Sequence, residues 1–176
     1  SDSKINDYSL PFSIQSYGSS NTYSSKTAED YFNEGYDHYI DKKYNKVITS
    51  MSKAIEIDNT HSSTYHYRGY SYLSLKNYGD AKSDFDRCIA LDDNEYKGHC
   101  YNGRGMIDFN VNKNYASAIG EFHQAVKYNP DSGQYYYNRA LAYKALNNKI
   151  KACDDFRDAS KLDHSEAKQS LNKYCN

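Results

Sequence analysis

The sequence has no tryptophan and only two prolines, Pro11 and Pro130, in 176 residues. With so little proline, long stretches contain nothing that must break a helix. With no tryptophan and only 6 phenylalanines, a core of any size has to draw on other rings. Long apolar runs are missing as well. No stretch approaches the roughly 20 residues of a membrane-spanning helix, and the mean hydropathy is -0.99. Charge of one sign is also lacking. The 22 Lys and Arg balance 23 Asp and Glu to a formal net charge of -1, so no general field draws the chain toward nucleic acid or anionic lipid. Tyrosine is what the sequence has in excess, with 21 residues. Chains disordered throughout are poor in aromatics. The composition therefore predicts one folded, polar domain whose core leans on tyrosine.

Residues 1–27 read differently from the rest: they are rich in serine, include Pro11 and Gly18, and show no helical period. They are expected to form a flexible leader, within which Tyr8, Leu10, Phe12, Ile14 and Tyr17 also suit a docking strand. From Ala28 the pattern repeats. Tyr31, Gly35, Val47, Met51 and Ala54 hold the same slots as Tyr65, Gly69, Ala81, Phe85 and Cys88. Tyr101, Gly105, Ala118, Phe122 and Ala125 form a third set, and Tyr136, Ala140, Ala152, Phe156 and Ala159 a fourth. The step is 34 residues from Gly35 to Gly69, 36 to Gly105 and 35 to Ala140, with one extra residue placed in the turn Asn110–Asn114.

Each unit carries two helical patterns, the first with Tyr and a small residue four later, the second with small, bulky and small residues at spacings of four and three. Asn77 and Asn114 are expected to cap the second helices, and Thr27 with Asp30 reads as a variant capping box. Pro130 suits the end of the third unit. Small residues let two antiparallel helices approach, so Gly35, Gly69, Gly105 and Ala140 are expected to face Val47, Ala81, Ala118 and Ala152. The bulky residue one turn on then fills the space toward the next unit. No such unit covers its own apolar face, so the units must stack.

These motifs resemble the tetratricopeptide repeat, a 34-residue helix-turn-helix unit. The stretch from Tyr136 through Ala159 is particularly similar, and the resemblance covers residues 28–165. Glu34 departs from the arginine found at Arg68, Arg104 and Arg139. The implied architecture is an all-α, right-handed superhelical solenoid of four repeats, at about 28–61, 62–95, 98–132 and 133–165, closed by a capping helix within 166–176. Ala167, Leu171 and Tyr174 would form the inner side of that cap.

The resemblance also implies a concave groove lined by the second, fifth, ninth and twelfth positions of each unit. Here these are Glu29, Phe32, Tyr36 and Tyr39; Ser63, His66, Tyr70 and Leu73; His99, Asn102, Met106 and Phe109; and Gln134, Tyr137, Leu141 and Lys144. The groove residues singled out are Phe32, Tyr36, Tyr39, His66, Tyr70, Asn102, Met106, Phe109, Tyr137, Leu141 and Lys144. Broad, rigid rings with a hydroxyl handle suit an extended peptide or a helix with apolar anchors. Relatives that grip the C-terminal carboxylate of chaperones use a Lys, Asn and Arg clamp. The matching positions are Phe32, Tyr36, Tyr67, His99 and Gly103, which offer no cationic fork. Most tyrosines fall in packing slots or in the leader, so the binding expectation rests on Tyr36, Tyr39, Tyr70 and Tyr137. Tyr67, Tyr96, Tyr135 and Tyr174 take no assigned role.

Four cysteines allow three pairings. Consecutive antiparallel helices set residues equally far from a turn side by side. The midpoint of Cys88 and Cys100 falls at Asn94 and that of Cys153 and Cys175 at His164, both in turns. Disulfides Cys88–Cys100 and Cys153–Cys175 are therefore expected, although Cys88 also fits its alanine slot as a small buried thiol. Paired cysteines imply an oxidising setting: periplasm, cell surface or outside. The serine-rich start suits a tether to a lipid anchor outside this sequence.

No phosphate loop or nucleophile pairing is evident, and no histidines fall at metal-ligand spacing with a carboxylate. His66 and His99 form only a weak metal pair. The recurrent Arg68, Arg104 and Arg139 are expected to bridge helices. The sequence thus predicts a non-enzymatic adaptor for a protein or peptide partner, with no cofactor, no metal and no nucleic acid. It would act in an exported setting such as envelope assembly or secretion, with the cytoplasm as the alternative location. A small-ligand or glycan receptor using the same tyrosines, and a structural spacer, are the other readings.

Overall fold

The two helical patterns of each unit form two helices. In the computed structural model, which describes residues 25–91 and 94–175, they are α1 Ala28–Ile40, α2 Tyr44–Ile57, α3 Ser62–Ser74, α4 Tyr78–Ala90, α5 Lys97–Asn110, α6 Tyr115–Tyr128, α7 Gly133–Ala145 and α8 Lys149–Lys161. The closing α9, Ser165–Ser170, runs into a π-helical turn, Leu171–Cys175. No strand occurs among the described residues. The leader expectation for Tyr8 to Tyr17, and the turn residues Asp92 and Asp93, lie outside them. Each odd helix packs on the even helix after it and on the even helix before it, and α1, α3, α5 and α7 touch in succession. The odd helices therefore form the inner row of the solenoid.

The stacking depends on a wedge. Met51, Phe85, Phe122 and Phe156 are wholly buried or nearly so. A methyl group added at Gly35 would come within 2.8 Å of Met51, at Gly69 within 2.8 Å of Phe85, and at Gly105 within 2.5 Å of Phe122. Phe85 is also held from the other side, since a methyl at Gly103 of the next unit would lie 2.4 Å from its Cζ. The atoms nearest Gly35, Gly69 and Gly105 thus belong to the bulky wedge one turn beyond Val47, Ala81 and Ala118. Those three residues are fully buried and bring the backbones close enough for the wedge one turn on to lie across the glycine.

The arginines tie the outer side. Arg68 donates from Nε and Nη2 to Asp84 at 2.8 and 2.7 Å, and from Nη1 to Ser52 at 2.9 Å. Arg104 likewise spans Glu121 and Asp86. Arg139 spans Asp155 and His123. Each guanidinium thus joins its own unit's second helix to that of the unit before. Each also covers a slot tyrosine: Tyr65, Tyr101 or Tyr136. In the first unit Glu34 stands at this position and accepts from Lys26 at 2.7 Å.

Thr27 and Asp30 form the capping box. Asn114 caps α6 through Ser117 N–H, and Asn148 caps α8 through Lys151 N–H. Asn77 stands at the cap position but makes no cap bond; its amide donates to Asp80 instead. The inner turns place Lys42, Lys76, Lys113 and Asn147 at positive φ, a cost of about 1–2 kcal/mol each that tight helix connection offsets. The cap departs from a single helix over 166–175, because its second half widens to a π turn. Ala167 is still fully buried, and Leu171 and Tyr174 pack on the Ala140–Phe156 cluster. The structure joins Cys88 to Cys100 and Cys153 to Cys175. The first bridge spans the turn between the second and third units, and the second pins the cap to α8.

Two tests follow from this packing. Gly105→Ala should destabilise the protein by about 1–3 kcal/mol in denaturant unfolding, because the added methyl overpacks the wedge. Gly120→Ala, where nothing lies within 4 Å of the added group, should stabilise by about 0.5–1 kcal/mol; equal effects at the two sites would rule out the wedge. Protein never exposed to reductant should show two disulfides by mass. Replacing Cys153 and Cys175 by serine should cost about 3 kcal/mol and make 165–175 the first segment cut by protease.

Candidate functional site

The stacked units leave a cavity of about 830 Å³ on the inner row. α1 supplies Tyr36, Tyr39 and Ile40, and α3 supplies His66, Tyr67 and Tyr70. α5 contributes His99 and Asn102. The turns and helix ends on either side add Glu95, Tyr96, Tyr128, Asn129, Gln134 and Tyr135. Among the described residues the lining contains no lysine or arginine and one carboxylate, Glu95.

The floor is a packed aromatic layer. The Tyr67 ring lies 5.2 Å from Tyr36, 5.0 Å from Tyr39 and 4.6 Å from His66, all edge to face. His66 also contacts Tyr70, Tyr96 and His99. Edge-to-face geometry sets ring hydrogens against π faces and stiffens the layer. A polar rail runs beside it. The Tyr70 hydroxyl donates to the His99 carbonyl at 2.8 Å and accepts from Asn102 at 3.2 Å. Asn138 donates to Asn102 at 2.7 Å, and Gln134 to Asn138 at 2.9 Å. Tyr135 Oη sits 2.6 Å from His99 Nδ1. The rail ties α3, α5 and α7 together across the cavity edge.

Burial sets the charge state here. It holds His66 well below its ordinary pKa, with His99 a second cause, and it lowers His99 too. It raises the Tyr39, Tyr67 and Tyr70 phenols. At neutral pH the floor therefore carries no charge. The His66 and His99 rings lie 5.3 Å apart, and no group of three or more His, Cys, Asp or Glu is arranged to hold a metal among the described residues.

Of the residues singled out in the sequence, Tyr36, Tyr39, His66, Tyr70 and Asn102 line the cavity. The others do not. Phe32 is buried beneath Tyr36 and Tyr67. Met106 and Phe109 pack on Ala118, Phe122 and Ala142. Tyr137 and Leu141 pack on the Ala140–Phe156 cluster, with Tyr137 stacked on His164 at 4.4 Å. Lys144 lies over the Tyr174 ring. The cavity is thus centred on the first three units, with Gln134 and Tyr135 from the start of the fourth, while Tyr137 packs toward the cap. Tyr67, Tyr96, Tyr128, Asn129 and Tyr135 were not foreseen as lining. Tyr96 left a trace in the sequence: the long 36-residue step from Gly69 to Gly105 places extra chain in the turn that carries it, and Cys88–Cys100 holds that turn.

Comparison with known proteins agrees with the repeat fold. The tetratricopeptide repeat family model matches residues 62–95 and 133–165, the second and fourth units. Heat shock protein STI1 of Saccharomyces cerevisiae is 32% identical over 101 residues, covering 54% of this chain and 17% of the relative. Serine/threonine-protein phosphatase 5 of Rattus norvegicus is 30% identical over 106 residues, covering 60% and 21%. The Hsp70-Hsp90 organizing protein of Triticum aestivum is 26% identical over 110 residues, covering 62% and 18%. The chain thus spans about a fifth of the length of these relatives. Among solved structures, MamA superposes with a TM-score of 0.70 at 20% identity, covering 80% of this chain and 81% of that one. The Arabidopsis OM64 TPR domain gives 0.62 at 20% identity, covering 66% and 94%. The second and fourth units thus match the tetratricopeptide repeat model, and the chain as a whole has the fold of a tetratricopeptide-repeat solenoid.

Proposed function

We propose that the chain is a non-enzymatic adaptor that holds a peptide or helix of a protein partner against the tyrosine-lined cavity of its inner row. One observation carries this reading: an open cavity of about 830 Å³ in which Tyr36 and Tyr39 stand partly exposed above an uncharged, packed aromatic floor. Anchors of this type contribute most of the energy at protein interfaces, and a stiff floor lowers the entropy lost on binding.

One relative is named as an organizing protein of Hsp70 and Hsp90. The clamp positions of this chain are Phe32, Tyr36, Tyr67, His99 and Gly103, so a terminal carboxylate meets rings instead of cations, and the adaptor takes a different class of partner. The two disulfides support an exported setting, in the periplasm, at the cell surface or outside. There the adaptor would serve envelope assembly or secretion, with the serine-rich leader as its tether.

Peptides selected by display against the protein give the test. Replacing Tyr36 and Tyr39 together by alanine should weaken the selected peptides at least about tenfold. Ile150→Ser, an exposed change away from the cavity, should leave binding as it was. Unchanged binding in the double variant would contradict the groove.

A further inference from the structure

Buried polar atoms nearly always find a partner. Two in the described residues do not, His66 Nδ1 and Asn129 Oδ1, and both residues line the cavity. An amide oxygen only accepts, and a neutral imidazole protonated on Nε2 accepts at Nδ1. A guest that completes this site therefore brings hydrogen-bond donors. Neither atom is exposed in the free protein, so a guest reaches them as the ring or the amide turns about its last torsion.

The rest of the lining fixes the sign of that guest. Tyrosine faces carry negative quadrupole potential and attract a cation held within about 6 Å of the ring centre. Glu95 adds a carboxylate at the exposed rim, and among the described residues no lysine or arginine lines the cavity. Burial keeps His66 and His99 uncharged, so neither repels a cation. An anion finds nothing to balance it here. A neutral apolar guest satisfies the rings but leaves both orphaned acceptors unpaired. A guanidinium answers every feature: it is planar, stacks on rings and carries five donors.

We propose that this cavity seats a basic side chain, arginine ahead of lysine, carried by the partner segment; the proposal rests on the reading of the cavity as a binding groove. The side chain enters between Tyr36 and Tyr96, lies against the Tyr67 ring and directs its N–H groups toward His66 and Asn129. Partner segments would then be selected by a positive residue, the reverse of the carboxylate chemistry used by a cationic clamp.

Acetylated, amidated alanine pentapeptides with a central Arg, Lys, Gln, Glu or Phe test this on the full chain, read by NMR of the tyrosine rings. The Arg peptide should shift the Tyr36, Tyr67 and Tyr135 signals and bind at least about tenfold more tightly than the Gln peptide. Tyr36→Leu and Glu95→Gln should each weaken it several-fold, with thermal unfolding unchanged. Gln or Phe peptides binding as well as Arg would overturn the basic guest and leave the groove standing. No binding by any peptide, together with failure of display selection, would remove both. Arginine amide binding as tightly as the Arg peptide would overturn the partner side chain in favour of a free small amine.

Discussion

Everything in this molecule depends on one steric fit: a bulky side chain laid across a glycine. Phe85 sits between Gly69 of its own unit and Gly103 of the next, so a single ring makes two interfaces. The small residues Val47, Ala81, Ala118 and Ala152 set the helix spacing, the wedge fills what remains, and the arginines lock adjacent second helices on the outside. Stability in such a stack is close to a sum of unit and neighbour terms. The neighbour terms include the Phe85 ring against Gly103 of the next unit and the single Nη1 contacts from Arg68, Arg104 and Arg139 to the unit before, while the bidentate Arg–carboxylate pairs hold each unit together. The inner row follows directly, because glycines on the odd helices let those helices converge and leave their tyrosines facing a common space.

That space shows how a solenoid concentrates function. Close approach of α1, α3 and α5 presses tyrosines together until they pack edge to face. Packing excludes water, and the exclusion keeps His66 and His99 neutral and the phenols protonated. The two disulfides act at the ends of this arrangement. Cys88–Cys100 fixes the turn that presents Tyr96 and Glu95, and Cys153–Cys175 holds the cap against which Tyr137 closes. The last unit therefore contributes termination more than binding surface.

Much of this was legible in the sequence, for identifiable reasons. Repeat spacing revealed the helices, since the Tyr and small-residue slots recur in all four units. The midpoints of the cysteine pairs fell in turns, and antiparallel neighbours then had to bring them together. Local signals were less complete: Asn77 has the right identity and place for a cap, yet Asp80 takes its amide. The cavity was legible in part. Repeat positions located Tyr36, Tyr39, His66, Tyr70 and Asn102 because curvature exposes those positions on every inner helix. They also nominated Met106, Phe109, Tyr137 and Leu141, which stay partly exposed and pack against the core clusters outside this cavity. They missed Tyr96 and Asn129, which lie in turns between units, and Tyr135, which lies at a helix start. A helical register does not govern side chains supplied by connections.

The central claim is that wedge-driven stacking creates a dry, neutral aromatic floor, and His66 reports on it directly. An unfolded histidine ionises near 6.5, and burial lowers the folded value well below that. The stability this provides is complete above 6.5 and is lost as pH falls through that value toward the folded one, with His99 acting in the same direction. NMR titration of the His66 ring from about pH 7.5 to about pH 5, alongside thermal unfolding, is the decisive measurement. The account predicts that the His66 signals stay at their neutral positions while the melting temperature falls. A His66 that titrates near its ordinary value, with stability unchanged by acid, would contradict it.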